Sequence, residues 1–480
     1  MEDGQKAPVS LDILKTRRAQ KALQEIKAAV KKSKDFFDRG MTREVAFRLE
    51  QLKTLKVALE ENEAHIIEAM FQDLGKSYFN SYVTELGLVY KEIDLFLKNL
   101  NTWPKRKRVK TPLMHFGSRS YIYKEPYGTV LIFSPWNYPL QLSMLPLIGA
   151  IAAGNTVILK PSSQIPATST TFEKIGKDYF PPGFITFIKG GREKSRLLLE
   201  EKFDYIFFTG SKFAGRKVME AAAYHLTPVT LELGGKSPCI LDREADIDLA
   251  ARRIVWGKYL NSGQTCIAPD YLLVHEGVKE EFFKKAKGYI QKFYGDKPLE
   301  SPDFNQIINK KHFERLIKYL HRGRLITGGN FDEDRLYISP TIIDQVTWED
   351  PVMQEEIFGP ILPVLEYKNI QEVVEWINNR PTPLALYIFS NNKKVQKIIL
   401  EEVQFGGGCV NDTLFHASSP YLPFGGLGES GMGAYHGETS FNTFSHEKSI
   451  LKSSTFTDFA FRYPPYKLNL KLLKKVFKWL

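Results

Sequence analysis

The sequence predicts an α/β protein built on doubly wound parallel sheet, and three features predict it. Short β-rich runs recur between residues 129 and 232, with helical segments between most of them; strands that alternate in this way lie parallel and are joined by crossover helices. Pro126 to Leu159 carries no charged side chain, as fully buried parallel strands and their packing helix require. From about Leu233 a second region of βα type runs to about Gly406. At ~150 residues per domain, 480 residues suggest about three domains.

The elements follow in order. Val45, Leu49, Leu52, Leu55 and Leu59 step by three or four, as one helix face should, and Gly75 sits where that helical run can end. Leu86, Val89, Ile93, Phe96 and Leu100 repeat the pattern. Thr129–Phe133 is the first strand, followed by a Pro/Asn loop from Ser134 to Pro139, a helix over Gln141–Ala153 and a second strand over Asn155–Lys160. Further strands are expected at Phe184–Ile188, Tyr205–Thr209 and Pro228–Glu232, and further helices at Val278–Phe293 and Ile370–Asn378. Gly425 to Gly437 is glycine-rich and reads as loop or turn. The uncharged stretch is no membrane span, because Pro135, Asn137, Pro139, Pro146 and Asn155 interrupt it.

Composition excludes other classes. With 43% hydrophobic and 25% charged residues the chain is neither disordered nor of low complexity. Three cysteines, Cys239, Cys266 and Cys409, make no disulfide framework, and a reducing compartment fits best. The first residues mix acids and bases without an apolar core, so no signal peptide is expected. The net charge of +11 raises the question of nucleic acid. The excess is uneven, with five lysines and no acid between Tyr463 and Leu480 and a second cluster at Lys105–Arg108. No zinc-finger spacing or RNP-like motif accompanies either cluster, so neither nucleic acid nor a metal is expected.

Gly426-Leu-Gly428-Glu-Ser-Gly431 fits the GxGxxG pattern but follows a Pro-rich segment, not a strand, and so reads as a structural loop. Phe208-Thr-Gly210-Ser211-Lys-Phe-Ala-Gly215 leaves a strand and enters a helix from about Ala214 to Tyr224. That geometry faces backbone N–H groups toward a phosphate, and an ordinary βα turn reads equally well. Cys266 stands in the polar stretch Asn261-Ser-Gly-Gln-Thr-Cys266, which tilts it toward reactivity, whereas Cys239 beside Ile240 and Leu241 reads as structural. Glu232 ends a strand between two leucines, beside Gly234 and Gly235; it is either a solvated strand end or a general base.

Six motifs then occur in order: Ser134-Pro-Trp136-Asn137, Thr156-Val-Ile-Leu-Lys160-Pro-Ser, Phe208-Thr-Gly-Ser211, Leu231-Glu232-Leu-Gly-Gly-Lys, Gly263-Gln-Thr-Cys266 and Glu356-Ile-Phe358-Gly-Pro. Together they resemble the aldehyde dehydrogenase superfamily over about residues 10 to 455. Phe424-Gly-Gly, Ser430-Gly-Met-Gly and Tyr435-His436-Gly, with the short amino terminus, resemble its class 3 branch, which includes the fatty-aldehyde enzymes.

The resemblance implies two doubly wound domains and a small β element for oligomerisation. Residues 1–107 and 127–232 would bind a dinucleotide, 233–428 would be catalytic, 108–126 with 429–455 would bridge subunits, and 456–480 would be a tail. It implies oxidation of an aldehyde to an acid with NAD or NADP. Cys266 would be the nucleophile, Asn137 and the Cys266 N–H the oxyanion donors, and Glu232 the base that activates water on a thioester. Relatives that pass the acyl group to coenzyme A generally lack this glutamate, so hydrolysis to the free acid is expected. Lys160 and Glu356 would bind ribose hydroxyls, Phe358 would pack near the nicotinamide ribose, Gly210, Ser211 and Gly215 would meet the pyrophosphate, and Trp136 would line the same site. NAD-preferring members usually carry a glutamate three residues after the lysine. Here that position is Ser163, so NADP is expected to be tolerated or preferred.

Lys467-Leu-Asn-Leu-Lys-Leu-Leu-Lys-Lys-Val-Phe-Lys-Trp-Leu480 lies beyond the motifs. Its lysines fall within an arc of about 100° of a helix, with leucines, Val476, Phe477 and Trp479 opposite. Such a basic amphipathic helix docks reversibly on an anionic membrane or packs on protein. In related chains a solvated connector stands where Lys105–Arg108 falls, and a homodimer is implied by the family. The expected partner is a medium- or long-chain aliphatic or aromatic aldehyde, and the expected location is cytoplasmic, with the tail docked peripherally on a membrane. Two rivals stand beside this reading: a non-catalytic protein on the same fold, and a cofactor-independent thiol esterase. An aldehyde-plus-NADP absorbance assay separates them.

Overall fold

The strand Thr129–Phe133 is buried at every position, as are its parallel neighbours Thr156–Lys160 and most of Tyr205–Thr209, and this explains the missing charges at 126–159. The computed structural model describes residues 17–456, 458, 462–466 and 469–479. A six-stranded sheet runs, in spatial order, Gly431–Met432, Val229–Glu232, Tyr205–Thr209, Thr129–Phe133, Thr156–Lys160 and Ile185–Phe187. All neighbours are parallel except Gly431–Met432, which pairs antiparallel with Glu232 and Leu231. Strand order therefore reverses between Thr129–Phe133 and Tyr205–Thr209. In an open sheet a ligand crevice forms outside the carboxyl ends at such a point.

The helix Gln141–Ala153 returns the chain between the first two strands and is buried on nearly every side. Gly154, at φ 96°, ends it in the left-handed conformation that glycine adopts without strain. Gly149 lets the helix press against Gly437–Thr443, since a Cβ there would stand 2.8 Å from Ser440 Cβ.

A second, seven-stranded sheet orders Arg324–Thr327, Thr341–Asp344, Ile361–Tyr367, Tyr271–His275, Pro238–Leu241, Ala385–Phe389 and Gly407–Val410. It is parallel apart from its first pair. A three-stranded antiparallel sheet joins Lys107–Val109, Arg119–Pro126 and Ser445–Lys452, with Arg119 opposite Lys452 and Pro126 opposite Ser445.

Several expectations shift. Gly431–Met432 is a strand and not a turn, and it extends the six-stranded sheet instead of the element expected over 429–455. Lys107 and Arg108 are exposed, as a solvated reading requires, yet they form a strand paired with Ile122 and Tyr121 and are not a connector. The helical run through Leu59 breaks at Asn62 before a second helix, Glu63–Leu74, is closed by Gly75 at φ 65°. Helix Lys212–His225 begins before Ala214. The tail helix spans Leu470–Trp479, with Lys471, Lys474, Lys475 and Lys478 exposed. Lys467, Leu468 and Leu480 lie outside the described residues. No described helix is long and apolar enough to cross a membrane.

Candidate active site

The two large sheets face one another across a continuous cleft of about 2940 Å³, several times the ~300–1,000 Å³ of a site for one small ligand. The six-stranded sheet presents its carboxyl-end loops to it. The seven-stranded sheet presents the segments that enter its strands: Leu233–Ser237 before Pro238, Gln264–Asp270 before Tyr271, and Glu356–Pro360 before Ile361. Trp136, Asn137, Lys160, Ser163, Gly210, Ser211, Glu232, Cys266, Glu356 and Phe358 all line it.

Gly215 does not. It is buried, and a Cβ there would stand 2.6 Å from Leu233 Cδ2, so this glycine lets its helix pack against the chain leaving the Glu232 strand.

Cys266 is carried on a tight turn. Asn261, Ser262 and Gly263 have φ of 51°, 53° and 70° in succession, left-handed backbone that needs outside support in a serine. Asn305 gives that support: its Nδ2 donates to Asn261 Oδ1 at 3.1 Å, and its carbonyl accepts from Ser262 Oγ. Gln264 Nε2 donates to Gln306 O at 3.0 Å and its Oε1 accepts from Ile308 N–H at 3.0 Å. The thiol itself is half-buried. Burial, and then the carboxylates of Glu356 and Glu232, push it up to about 12, while the N–H groups of Cys266 and Ile267 favour the thiolate.

The loop after the first strand is stitched to this turn. Asn137 Nδ2 donates to Gln264 O at 3.0 Å, Asn261 Nδ2 donates to Asn137 O at 2.9 Å, and the Tyr138 and Thr265 hydroxyls meet at 2.7 Å. Sequence reading missed Tyr138, Thr265, Gln264 and Asn261 as a group, because the two loops are 127 residues apart and no spacing rule joins them.

Glu232 lines the same cleft. Its main chain is fixed by Gly210 N–H, which donates to Glu232 O at 3.0 Å. Its side chain is 3% exposed and neither carboxyl oxygen has a hydrogen-bond partner among the described residues. Burial raises this carboxyl well above the ordinary range, the state of a group poised to trade a proton. Tyr435 packs nearby on Phe207, with ring centroids 5.1 Å apart, and burial followed by the charges of Glu232 and Cys266 raises its phenol as well.

Farther along, Glu356 is pushed up to about 8 by burial and then Asp270, and its Oε1 has no partner among the described residues. Its segment is clamped: Ile357 N–H donates to Asp270 Oδ1 at 2.9 Å, Lys236 Nζ to Glu355 O at 2.9 Å, and Arg315 to the carbonyl of Glu356 at 3.0 Å. Phe358, at φ 51°, sets its ring edge-on to Trp136 at 5.4 Å. Lys160 is buried at its strand end, donates to Pro161 O at 2.8 Å, and is lowered to about 8 by burial and then Lys194. Ser163 is exposed, and Ser211 is the N-cap of its helix, accepting from Ala214 N–H. Cys409 stands apart, its sulfur 3.5 Å from His416 Nδ1.

Comparison with known proteins places nearly the whole chain among characterised relatives. Residues 7–450 match the aldehyde dehydrogenase family. The chain is 48% identical over 448 residues to the 4,4'-diaponeurosporen-aldehyde dehydrogenase of Staphylococcus aureus, covering 93% of this chain and 98% of the relative. It is 44% identical over 445 residues to a rat protein described as aldehyde dehydrogenase, dimeric NADP-preferring, covering 92% of this chain and 98% of that one. The substrate-bound structure of Staphylococcus aureus AldH superimposes with a TM-score of 0.92 at 47% identity, over 94% of this chain and 99% of that chain.

Proposed function

Because this chain belongs to the aldehyde dehydrogenase family, on its class 3-like branch, and so oxidises an aldehyde, we propose that it does so through a thioester on Cys266 that Glu232 hydrolyses to the free acid. The observation that carries the proposal is that Cys266, Asn137 and Glu232 all line one cleft, with no partner for the Glu232 carboxyl among the described residues.

Cys266 attacks the carbonyl carbon as its thiolate, the nucleophilic form. The carbonyl oxygen becomes an oxyanion, and the Asn137 amide and the N–H of Cys266 are the donors set to receive it. No described residue hydrogen-bonds the Glu232 carboxyl, so its oxygens are free to accept from a water. Taking that water's proton, Glu232 turns it on the thioester, a contribution of roughly 10²–10⁴ in rate. Tyr435 and the aromatic residues around it keep this side of the cleft free of bulk solvent.

The cleft fits a nicotinamide dinucleotide. The orphaned Glu356 oxygen and the buried Lys160 ammonium are suited to ribose hydroxyls, Gly210 and Ser211 stand at a helix N-terminus where phosphate is favoured, and Phe358 and Trp136 form the wall between the two halves. When bound there, such a dinucleotide would supply the hydride acceptor that oxidation of the aldehyde requires. Exposed Ser163, standing where a carboxylate would repel a 2′-phosphate, supports use of NADP as well as NAD.

In this reading residues 1–107 and 127–232 hold the dinucleotide and 233–428 carry the chemistry. The edge strand Ser445–Lys452 joins a second copy, in keeping with the dimeric state that the rat relative's description gives for that protein. The substrates are medium- or long-chain aliphatic or aromatic aldehydes. An absorbance assay of nucleotide reduction over aldehydes of rising chain length tests the whole. Turnover should depend on aldehyde and vanish in Cys266→Ala, and unchanged turnover in that variant would overturn the reading.

A further inference from the structure

A buried ion pair lies behind the cleft, outside every motif described above. Lys76, in the loop between helices Glu63–Leu74 and Tyr78–Ser81, donates to Glu85 Oε1 at 2.5 Å, and the two side chains are 1% and 0% exposed. Glu85 sits on a turn of π-helix, Tyr82–Leu86, the kind of local insertion that re-aims a side chain and recurs at functional sites.

Its second oxygen accepts from the backbone N–H of Leu140 at 2.7 Å and of Gln141 at 3.1 Å. Those are orphan donors at the start of helix Gln141–Ala153, which Leu140, having no polar side chain, cannot cap itself. A carboxylate there also meets the positive end of the helix dipole. The capped turn lies three residues after Asn137. Lys76 makes a second contact: its Nζ lies 4.3 Å from the centre of the Tyr138 ring. The hydroxyl of that ring is bonded to Thr265 Oγ1 at 2.7 Å, next to Cys266.

One buried pair thus grips both partners of the oxyanion site. Glu85 fixes the helix start behind Asn137, and Lys76 holds the tyrosine tied to the cysteine turn. A pair of this kind contributes little net stability compared with apolar side chains of equal volume; its distinct consequence is geometric. Oxyanion donors act only when held within roughly 0.5 Å of the productive position.

We propose that Lys76 and Glu85 are positioning residues that set the Asn137 amide and the Cys266 backbone N–H at the distance the oxyanion requires. The proposal rests on the aldehyde dehydrogenase reading of the cleft.

The test compares two double variants with wild type. Lys76→Met/Glu85→Gln removes both charges but keeps an acceptor for the Leu140 and Gln141 N–H groups. Lys76→Met/Glu85→Leu removes the acceptor too. Three quantities are read: kcat for aldehyde oxidation, the rate of Cys266 alkylation by iodoacetamide, which passes through no oxyanion, and the nucleotide dissociation constant. The leucine variant should lose about 10- to 100-fold in kcat, less than the roughly 10²–10³ that outright removal of an oxyanion donor costs because the donors are shifted and not deleted, with alkylation and nucleotide affinity within about twofold. The glutamine variant should recover only part of kcat, because it restores an acceptor for Leu140 and Gln141 but not the Lys76 contact with Tyr138; full recovery would remove Lys76 from the proposal.

A leucine variant with kcat within about twofold of wild type would overturn the proposal, as would equal losses in all three quantities, which mark a general collapse of the cleft. Should the leucine variant not fold, Tyr138→Phe cuts only the hydroxyl link to Thr265. Its kcat should fall about threefold or more with alkylation unchanged, and an unchanged kcat would count against the linkage. Wild type that oxidises no aldehyde while Cys266 alkylates normally would overturn the functional reading itself, and this proposal with it.

Discussion

The side-chain amide of Asn137 is anchored on the carbonyl of Gln264 at 3.0 Å, two residues before Cys266. One N–H of the amide is spent in that bond, and the anchor fixes the plane of the group that lines the cleft. Asn137→Ala removes the donor and leaves the Gln264 carbonyl with only its longer bond from Asn261 Nδ2, at 3.3 Å. We expect kcat to fall about 10²–10³-fold, the usual loss for an oxyanion donor, while iodoacetamide still alkylates Cys266 at nearly the wild-type rate. Steady-state kinetics alongside inactivation rates check this; an unchanged kcat would remove Asn137 from the chemistry.

Glu232 should separate the two halves of the reaction. Glu232→Gln keeps its shape but cannot take a proton, so the acyl-enzyme forms and then waits. Stopped-flow traces should show a burst of reduced nucleotide close to one per site, followed by a steady rate lowered by roughly 10²–10⁴. The same variant should alkylate no more slowly than wild type. Burial is the main reason the thiol stands at about 12, and the Glu232 charge is one of the two that add to it. With both groups raised, log kcat/KM should climb from neutral into alkaline pH in wild type. Loss of the burst along with the steady rate would assign Glu232 to acylation instead.

How much of this was legible beforehand follows from the range of each interaction. The strand at Thr129–Phe133 and the helix at Gln141–Ala153 announced themselves because burial on all sides leaves a local mark, a run without charge. Cys266 and Glu232 stood out as chemical oddities, one polar-flanked and one apolar-flanked. The bonds between Asn137 and Gln264, and between Glu85 and Leu140, leave no such mark, since each joins segments more than fifty residues apart through backbone groups any residue carries. Gly215 shows a related limit: a glycine demanded by close packing on Leu233 and one demanded by a phosphate look identical in sequence. Gly431 entered a strand because Glu232 and Leu231 offered it an edge to pair with, a partner two hundred residues away.

Cofactor choice should turn on Ser163. It is exposed at the cleft beside the strand end that carries Lys160, so a carboxylate placed there would meet a 2′-phosphate with like charge. Wild type should use NADP at least comparably to NAD, and Ser163→Glu should move the ratio of kcat/KM values toward NAD by about tenfold or more, a shift of ~1.4 kcal/mol, in reach of one like-charge contact. Parallel assays with both nucleotides decide it. A wild-type preference for NAD above roughly a hundredfold, about 2.7 kcal/mol, would end the idea.

The tail offers a separate test. Lys471, Lys474, Lys475 and Lys478 are exposed on helix Leu470–Trp479, and each lysine near an anionic surface contributes about 1 kcal/mol. The 480-residue chain should sediment with phosphatidylserine vesicles at low salt and be released as salt rises. A chain ending at Tyr463 should stay in the supernatant with its aldehyde oxidation intact. Equal pelleting of the two forms would acquit the tail of any membrane role.

Glu92 should leave a signature in stability and not in catalysis. It is 4% exposed, accepts from Gly437 N–H at 2.6 Å, and is raised by burial to about 7 against an ordinary 4.5. Between those values the folded chain holds a proton that the unfolded chain has lost, so its contribution is fully present below about 4.5 and fades as pH rises through about 7. Over that interval the loss is at most about 3 kcal/mol. Glu92→Gln keeps the acceptor for Gly437 and never ionises. Its melting temperature should therefore exceed that of wild type at pH 8, and the gap should close toward pH 4.5. His436, lowered to about 3 by burial and then by His416, destabilises both proteins alike as pH falls from about 6.5, so the difference between the two melting curves isolates the carboxyl. A gap that stays constant across the whole range would mean that Glu92 ionises in the fold as it does in water.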